Sequence, residues 1–287
     1  MEIKKIGVVG CGTMGSGIAQ VSAQSGYEVV VLENNEELLK KGISFISSFL
    51  TKGVEKGKVS QQDKDSALAR IKGTIEYKDF DDCDLVIEVV NENISLKKEI
   101  FVQLDKVCPD HAILASNTSS LSIIDMASVT NRPEKVLGLH FMNPVPLMKL
   151  LEIVKSIATS DVVLETCKEF GKSLGKTVIV AKDTPGFIVN YLQYPFRLNA
   201  IRMLERGLAN KEDIDAAATL ALGHPMGPLA LQDLVGLDVT YAGTMAVYEE
   251  TGDPNFLPPV LMKKMIAAGW LGRKTGKGFY EYNKEKK

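Results

Sequence analysis

Cysteine, histidine and tryptophan are scarce in this chain, which carries four, three and one of them. The cysteines (Cys11, Cys83, Cys108 and Cys167) are scattered, with no Cys-x-x-Cys pair and no metal-ligand spacing. That pattern argues against a disulfide framework or a metal site, and reduced thiols in a cytoplasm are the simplest account. An excess of charge is also missing, since 34 basic against 36 acidic residues leave a net charge of −2. There is thus no global electrostatic case for nucleic acid or membrane binding. No apolar run approaches the ~20 residues of a membrane helix. A strand-like run begins by Lys4, which leaves no room for a targeting segment. The expectation is a soluble, cytoplasmic, globular protein, with 287 residues sufficing for one large domain or two ordinary ones.

What is present begins with Lys4-Lys5-Ile6-Gly7-Val8-Val9, a short strand, followed by Gly10-Cys11-Gly12-Thr13-Met14-Gly15 and a small, apolar helix start. A second strand, Glu28 to Leu32, ends on Glu33, 18 positions after Gly15. A Gly-x-Gly-x-x-Gly turn alone is a weak signal. Between a strand and a helix, with an acidic residue ending the next strand, it reads as a dinucleotide-binding turn. Gly10 permits the tight turn, Gly12 lets backbone approach a pyrophosphate, and Gly15 lets helix pack on strand. Thr13 and Met14 complete the loop, and the helix N-terminus favours the phosphates. Glu33 would accept hydrogen bonds from a ribose and repel a 2′-phosphate, which favours NAD over NADP.

Residues 35 to about 69 read as helical with a turn near Gly57, and Lys52, Lys56 and Lys58 cluster there. A solvated face and a landing site for an anionic group are both open readings. Strands follow at Asp84–Val90, Ala112–Ser116, Val136–His140 and Thr177–Ala181, with a helix from Ser95 to Val107. This alternation predicts an α/β fold, a Rossmann-type, doubly wound, mainly parallel sheet over residues 1–183. After Asp183-Thr184-Pro185-Gly186 the texture changes to helices at 187–206, 211–222, 229–251 and 259–269, with no strand until the closing Gly278-Phe279-Tyr280. Residues 184–287 are therefore an all-helical domain. A helical domain this apolar is expected to bury part of its surface against a second copy, making a homodimer or higher homo-oligomer.

The chemistry is placed at Leu139 to Glu152. His140 ends an apolar run, at a strand end where open α/β sheets hold ligands. Glu152 sits inside a second apolar run, Lys149 to Val154, and a buried carboxylate is costly unless paired. A histidine on the neighbouring strand suits it, because the carboxylate fixes the ring's tautomer and orientation. The competing reading is a core histidine and an edge-face glutamate, and these residues alone do not decide. His224, in a Pro/Gly-rich turn, is expected to make a structural hydrogen bond. His111 is expected at the surface, and Trp270 in a core.

Laid out together, these residues resemble the short-chain L-3-hydroxyacyl-CoA dehydrogenase family, over essentially the whole length. The signposts are Gly10–Gly15, Glu92-Asn93, Ser116–Ser120, His140-Phe-Met-Asn-Pro144, Pro185–Asn190, His224–Pro228 and Gly272–Tyr280. The resemblance, strongest to bacterial 3-hydroxybutyryl-CoA dehydrogenases, implies NAD-dependent interconversion of acetoacetyl-CoA and (S)-3-hydroxybutyryl-CoA. It implies His140 as acid/base oriented by Glu152, and Ser119 and Asn190 as hydrogen-bond partners of the substrate oxygens. Gly10, Gly12, Gly15 and Glu33 would hold the adenosine half of NAD. Glu92, Lys97, Asn143 and Lys274 match positions near the nicotinamide, and Lys52 and Lys56 match lysines that meet the CoA nucleotide. Because Asn190 lies beyond the boundary, a site using it is expected to form between the two domains. No metal is implied.

The chain departs from the family pattern at Met142, where phenylalanine is usual, at Val89-Val90-Asn91, and along Tyr191 to Asn199. A sugar-acid dehydrogenase of the L-gulonate type, with a similar His/Glu pair, is one alternative function, and a non-catalytic NAD-binding protein is another. The lysine cluster favours a CoA ester over the first. Intact candidates at every catalytic position argue against the second.

Overall fold

Eight short segments, most of them rich in Val, Ile and Leu, pair into one sheet in the computed structural model, which describes residues 2–282. They are β1 (Lys5–Val9), β2 (Glu28–Leu32), β3 (Ile71–Thr74), β4 (Leu85–Glu88), β5 (Ile113–Ser116), β6 (Val136–Phe141), β7 (Leu150–Lys155) and β8 (Thr177–Lys182). The spatial order is β3-β2-β1-β4-β5-β6-β7-β8. Strands β1 to β6 run parallel. Strand β7 is antiparallel to β6, and β8 follows β7 in the same direction. The central strands are buried along their length, as strands covered on both faces must be, so they read as unbroken apolar runs.

The sheet's helices are α1 (Thr13–Gln24), α2 (Glu36–Glu55), α3 (Gln61–Ala69), α4 (Ile94–Val107), α5 (Ile123–Ala127) and α6 (Asp161–Ser173). Their starts are written in the sequence. Asn35, Ser60, Asn93, Ser122 and Ser160 each accept a hydrogen bond from a backbone N–H three residues on. Gly57, at φ +65°, turns the chain between α2 and α3. Strand β3 falls outside the sequence expectation. Its four residues include Lys72 and Gly73, so neither alternation nor an apolar run marks it. It forms because β2 offers it an edge.

The chain divides into two compact units between Thr184 and Pro185. The second comprises α7 (Val189–Glu205), α8 (Lys211–Ala216), α9 (Pro228–Val235), α10 (Leu237–Thr251) and α11 (Val260–Ala267). Leu198, Ile201, Leu229, Leu237 and Met262 form its core. Two expectations need correction here. The single helix read over 229–251 is broken at Gly236, whose φ of +104° no helix tolerates. The closing strand at Gly278–Tyr280 is not formed. Isolated bridges join Gly272 to Lys277 and Lys277 to Glu281 instead, and the Asp233 carboxylate accepts the N–H groups of Phe279 and Tyr280. A local side-chain acceptor thus takes the place of a partner strand.

The four cysteines are buried and unpaired. No described helix is long and apolar enough to cross a membrane. Among the described residues no group of three or more His, Cys, Asp or Glu side chains is placed to hold a metal ion.

Candidate active site

His140 and Glu152 face each other across the antiparallel pair of β6 and β7. Directly opposed residues in such a pair bring their side chains together on one face of the sheet. The ring Nδ1 of His140 lies 2.8 Å from Oε2 of Glu152. Glu152 has no exposed surface and His140 very little. With Nδ1–H donated to the carboxylate, Nε2 is the acceptor atom of the ring. The loop joining the two strands is held from below. Lys176, itself buried, donates to the carbonyls of Val145 and Met148 at 2.6 and 2.7 Å. Asn143 lies exposed on that loop.

The carboxyl ends of β4 and β5 supply the next group. Glu92 accepts at Oε1 from the Thr118 hydroxyl at 2.6 Å, the Ser119 N–H at 2.9 Å and the Ser119 hydroxyl at 3.2 Å. Asn117 ties this loop to the histidine strand by accepting from the Phe141 N–H at 2.8 Å. Lys97 is wholly buried, with its ammonium 2.7 and 2.8 Å from the two oxygens of Glu88 and 3.5 Å from Glu92. Glu88, which the sequence reading placed in a strand but gave no role, is the buried acceptor at the centre of this group. An acidic residue closing a buried-type strand, with a lysine in the following helix, was the available signal.

The glycine turn sits where strand order reverses, between β1 and β4, the place at which open α/β sheets bind ligands. Gly10 has φ +101°, and an added Cβ on Gly15 would lie 1.8 Å from the Gly10 carbonyl, so neither tolerates a side chain. At Gly12 an added Cβ would meet open space, which leaves the backbone approachable. Helix α1 starts without a side-chain cap, so the N–H groups of its first turn remain available to an anion. A cavity of about 290 Å³ is lined by Gly10, Gly12, Glu33, Tyr77 and Val90 among others. Glu33 also braces the turn, accepting from the N–H groups of Cys11 at 2.7 Å and Asn34 at 3.0 Å. These residues fit a dinucleotide.

Lys52 and Lys56, four positions apart at the end of α2, share one exposed face. In the second unit, Asn190 is the second residue of α7. Lys274, exposed, is paired with Asp238 at 2.6 Å. His224 stacks on Phe196 with ring centroids 4.7 Å apart, a ring contact where a hydrogen bond was expected. His111 is half exposed beside Asp84, at 3.0 Å.

The family model described as 3-hydroxyacyl-CoA dehydrogenase, NAD binding domain, matches residues 5–184, and the model for the C-terminal domain of the same family matches 186–282. The chain belongs to the 3-hydroxyacyl-CoA dehydrogenase family. As a member it is an oxidoreductase, and its first unit is the NAD-binding domain. It is 46% identical over 282 residues to the 3-hydroxybutyryl-CoA dehydrogenase of Mycobacterium tuberculosis, covering 98% of this chain and 99% of that one. It is 44% identical to the mitochondrial hydroxyacyl-coenzyme A dehydrogenase of Sus scrofa, over 98% of this chain and 91% of that one. The crystal structure of (S)-3-hydroxybutyryl-CoA dehydrogenase from Ralstonia eutropha superposes with a TM-score of 0.97 at 44% identity, covering 99% of this chain and 100% of that one.

Proposed function

We propose that this protein interconverts acetoacetyl-CoA and (S)-3-hydroxybutyryl-CoA, with His140 as the acid/base and Glu152 as its orienting partner. The observation that carries this reading is the 2.8 Å His140–Glu152 pair, buried at a strand end of an NAD-binding domain. Oxidising the secondary alcohol removes the hydroxyl proton to Nε2 of His140 while hydride leaves C3. Bound NAD⁺ supplies the hydride acceptor. The imidazolium that forms is stabilised by the Glu152 carboxylate, and in the reverse direction it returns the proton to the ketone oxygen.

Ser119 and Asn190 hydrogen-bond the substrate oxygens, and Lys52 and Lys56 take the phosphates of the CoA nucleotide. Gly10, Gly12, Thr13, Met14, Gly15 and Glu33 hold the adenosine and pyrophosphate half of the cofactor. Asn143, Glu92 and Lys274 serve its nicotinamide half. Lys97, having no exposed surface, serves that half through Glu92. The helical unit carries exposed apolar side chains such as Leu192, Leu220 and Leu222, which supports a homo-oligomer formed through it.

The test is NADH oxidation followed at 340 nm with acetoacetyl-CoA, beside NADPH, for wild type and His140→Ala. Turnover with NADH, reduced by ~10²–10⁴-fold in the variant, is the expected result. Turnover of L-gulonate and not of acyl-CoA would replace the substrate assignment.

A further inference from the structure

Glu88 and Lys97 form an ion pair with no exposed surface on either side chain. Such a pair is weak evidence of a stabilising role, because apolar replacements of similar volume are often as stable. Its geometry shows what it does instead. Glu88 takes the Lys97 ammonium on both carboxylate oxygens, and also accepts from the Val90 N–H at 2.6 Å and the Ser116 hydroxyl at 2.7 Å. Its backbone carbonyl accepts from the Asn117 N–H at 2.8 Å. This one residue therefore ties down the chain leaving β4 and the chain leaving β5.

Lys97 carries the connection further, reaching the Val90 carbonyl at 3.3 Å and Glu92 at 3.5 Å. The far oxygen of Glu92 then holds Thr118 and Ser119. One ammonium set between two carboxylates fixes both. Without Glu88, Lys97 would have only Glu92 to answer its charge, and would draw Glu92 away from Ser119.

We infer that Glu88 is a positioning residue for the reaction. Acting through Lys97, it sets Glu92, and with it the Thr118-Ser119 turn, in the place that cofactor and substrate require. The inference rests on the roles proposed above for Glu92 and Ser119. It adds a buried residue that touches neither ligand and works only through its neighbours.

A double-mutant cycle tests it, with NADH affinity read by nicotinamide fluorescence for wild type, Glu88→Gln, Glu92→Gln and the double variant. Glu88→Gln is expected to weaken NADH binding on the order of tenfold, within the range of coupling in one hydrogen-bond network, and to add nothing in the Glu92→Gln background. Unchanged affinity, or the same factor lost in both backgrounds, would overturn the inference, since a merely structural residue acts alike in each. Should Glu88→Gln fail to fold, Glu88→Asp keeps the charge, and its cycle is read in the same way. The readout needs no acyl substrate. A wild type that binds NADH but does not turn over acetoacetyl-CoA would remove the substrate assignment and leave this inference to its own test.

Discussion

A carboxylate with no exposed surface needs its charge answered nearby, and Glu152 has the His140 ring at 2.8 Å for that purpose. Glu152→Gln keeps the shape and removes the charge that stabilises the imidazolium. We expect kcat to fall by on the order of 10²-fold or more, as when a neutral amide replaces the carboxylate partner of a catalytic histidine. Melting temperature and NADH affinity should stay near those of wild type. A kcat within twofold of wild type would mean that the pair is only structural. At this scale the sequence was informative because a polar residue inside an apolar run is conspicuous, and both His140 and Glu152 stand in such runs. Glu88 and Lys97 were harder to read. Each looks ordinary alone, and only the packing of α4 against the sheet closes the distance between them.

Helix α2 lies directly on the glycine turn, and Gly42 is what permits it. A Cβ added there would fall 2.3 Å from the Cys11 sulfur and 2.5 Å from the Cys11 carbonyl oxygen, so helix or turn must move. Because Lys52 rides on the same helix and Lys56 caps it, this contact couples the dinucleotide turn to the proposed CoA contacts. Gly42→Ala is expected to cost about 1–3 kcal/mol, the usual range for overpacking. It should raise the KM for both NADH and acetoacetyl-CoA. Calorimetry and steady-state kinetics check this, and a rise confined to the acyl substrate would contradict the coupling. The elements themselves were mostly legible, since caps such as Asn35 and Ser160 and the central apolar runs are local signals. Strand β3 and the break at Gly236 were not. The first depends on an available sheet edge, and the second on a backbone conformation that apolar neighbours conceal.

At the scale of the molecule, burial pushes the Cys83 and Cys108 thiols up to about 12. It does the same at Cys11, where the Glu33 carboxylate adds to the effect. An unfolded cysteine titrates near 8.5. Between about pH 9 and 11 the unfolded chain therefore releases protons that the folded chain keeps, and stability falls as pH rises through that window. A melting temperature that drops from pH 8 to pH 10.5, with thiols that react with a disulfide reagent only after denaturation, is the expected result. Rapid labelling of the native protein at pH 8 would contradict it. Sedimentation should show a dimer or larger species, and a monomer at micromolar concentration would remove the oligomer proposal.

The sequence by itself determined the alternation of strands and helices, the glycine turn and acidic residue of the NAD-binding domain, and the change of texture at Thr184. All of these are carried by neighbours a few residues apart, within reach of backbone geometry and hydrophobic periodicity. Tertiary structure decided which strands lie side by side, and so which buried charges meet. His140 finds Glu152 through antiparallel register, Glu88 finds Lys97 through helix packing, and Lys176 reaches the carbonyls of the histidine loop. Each pairing depends on removing charge from water beside one particular partner, and that cost is not defined until the chain has folded.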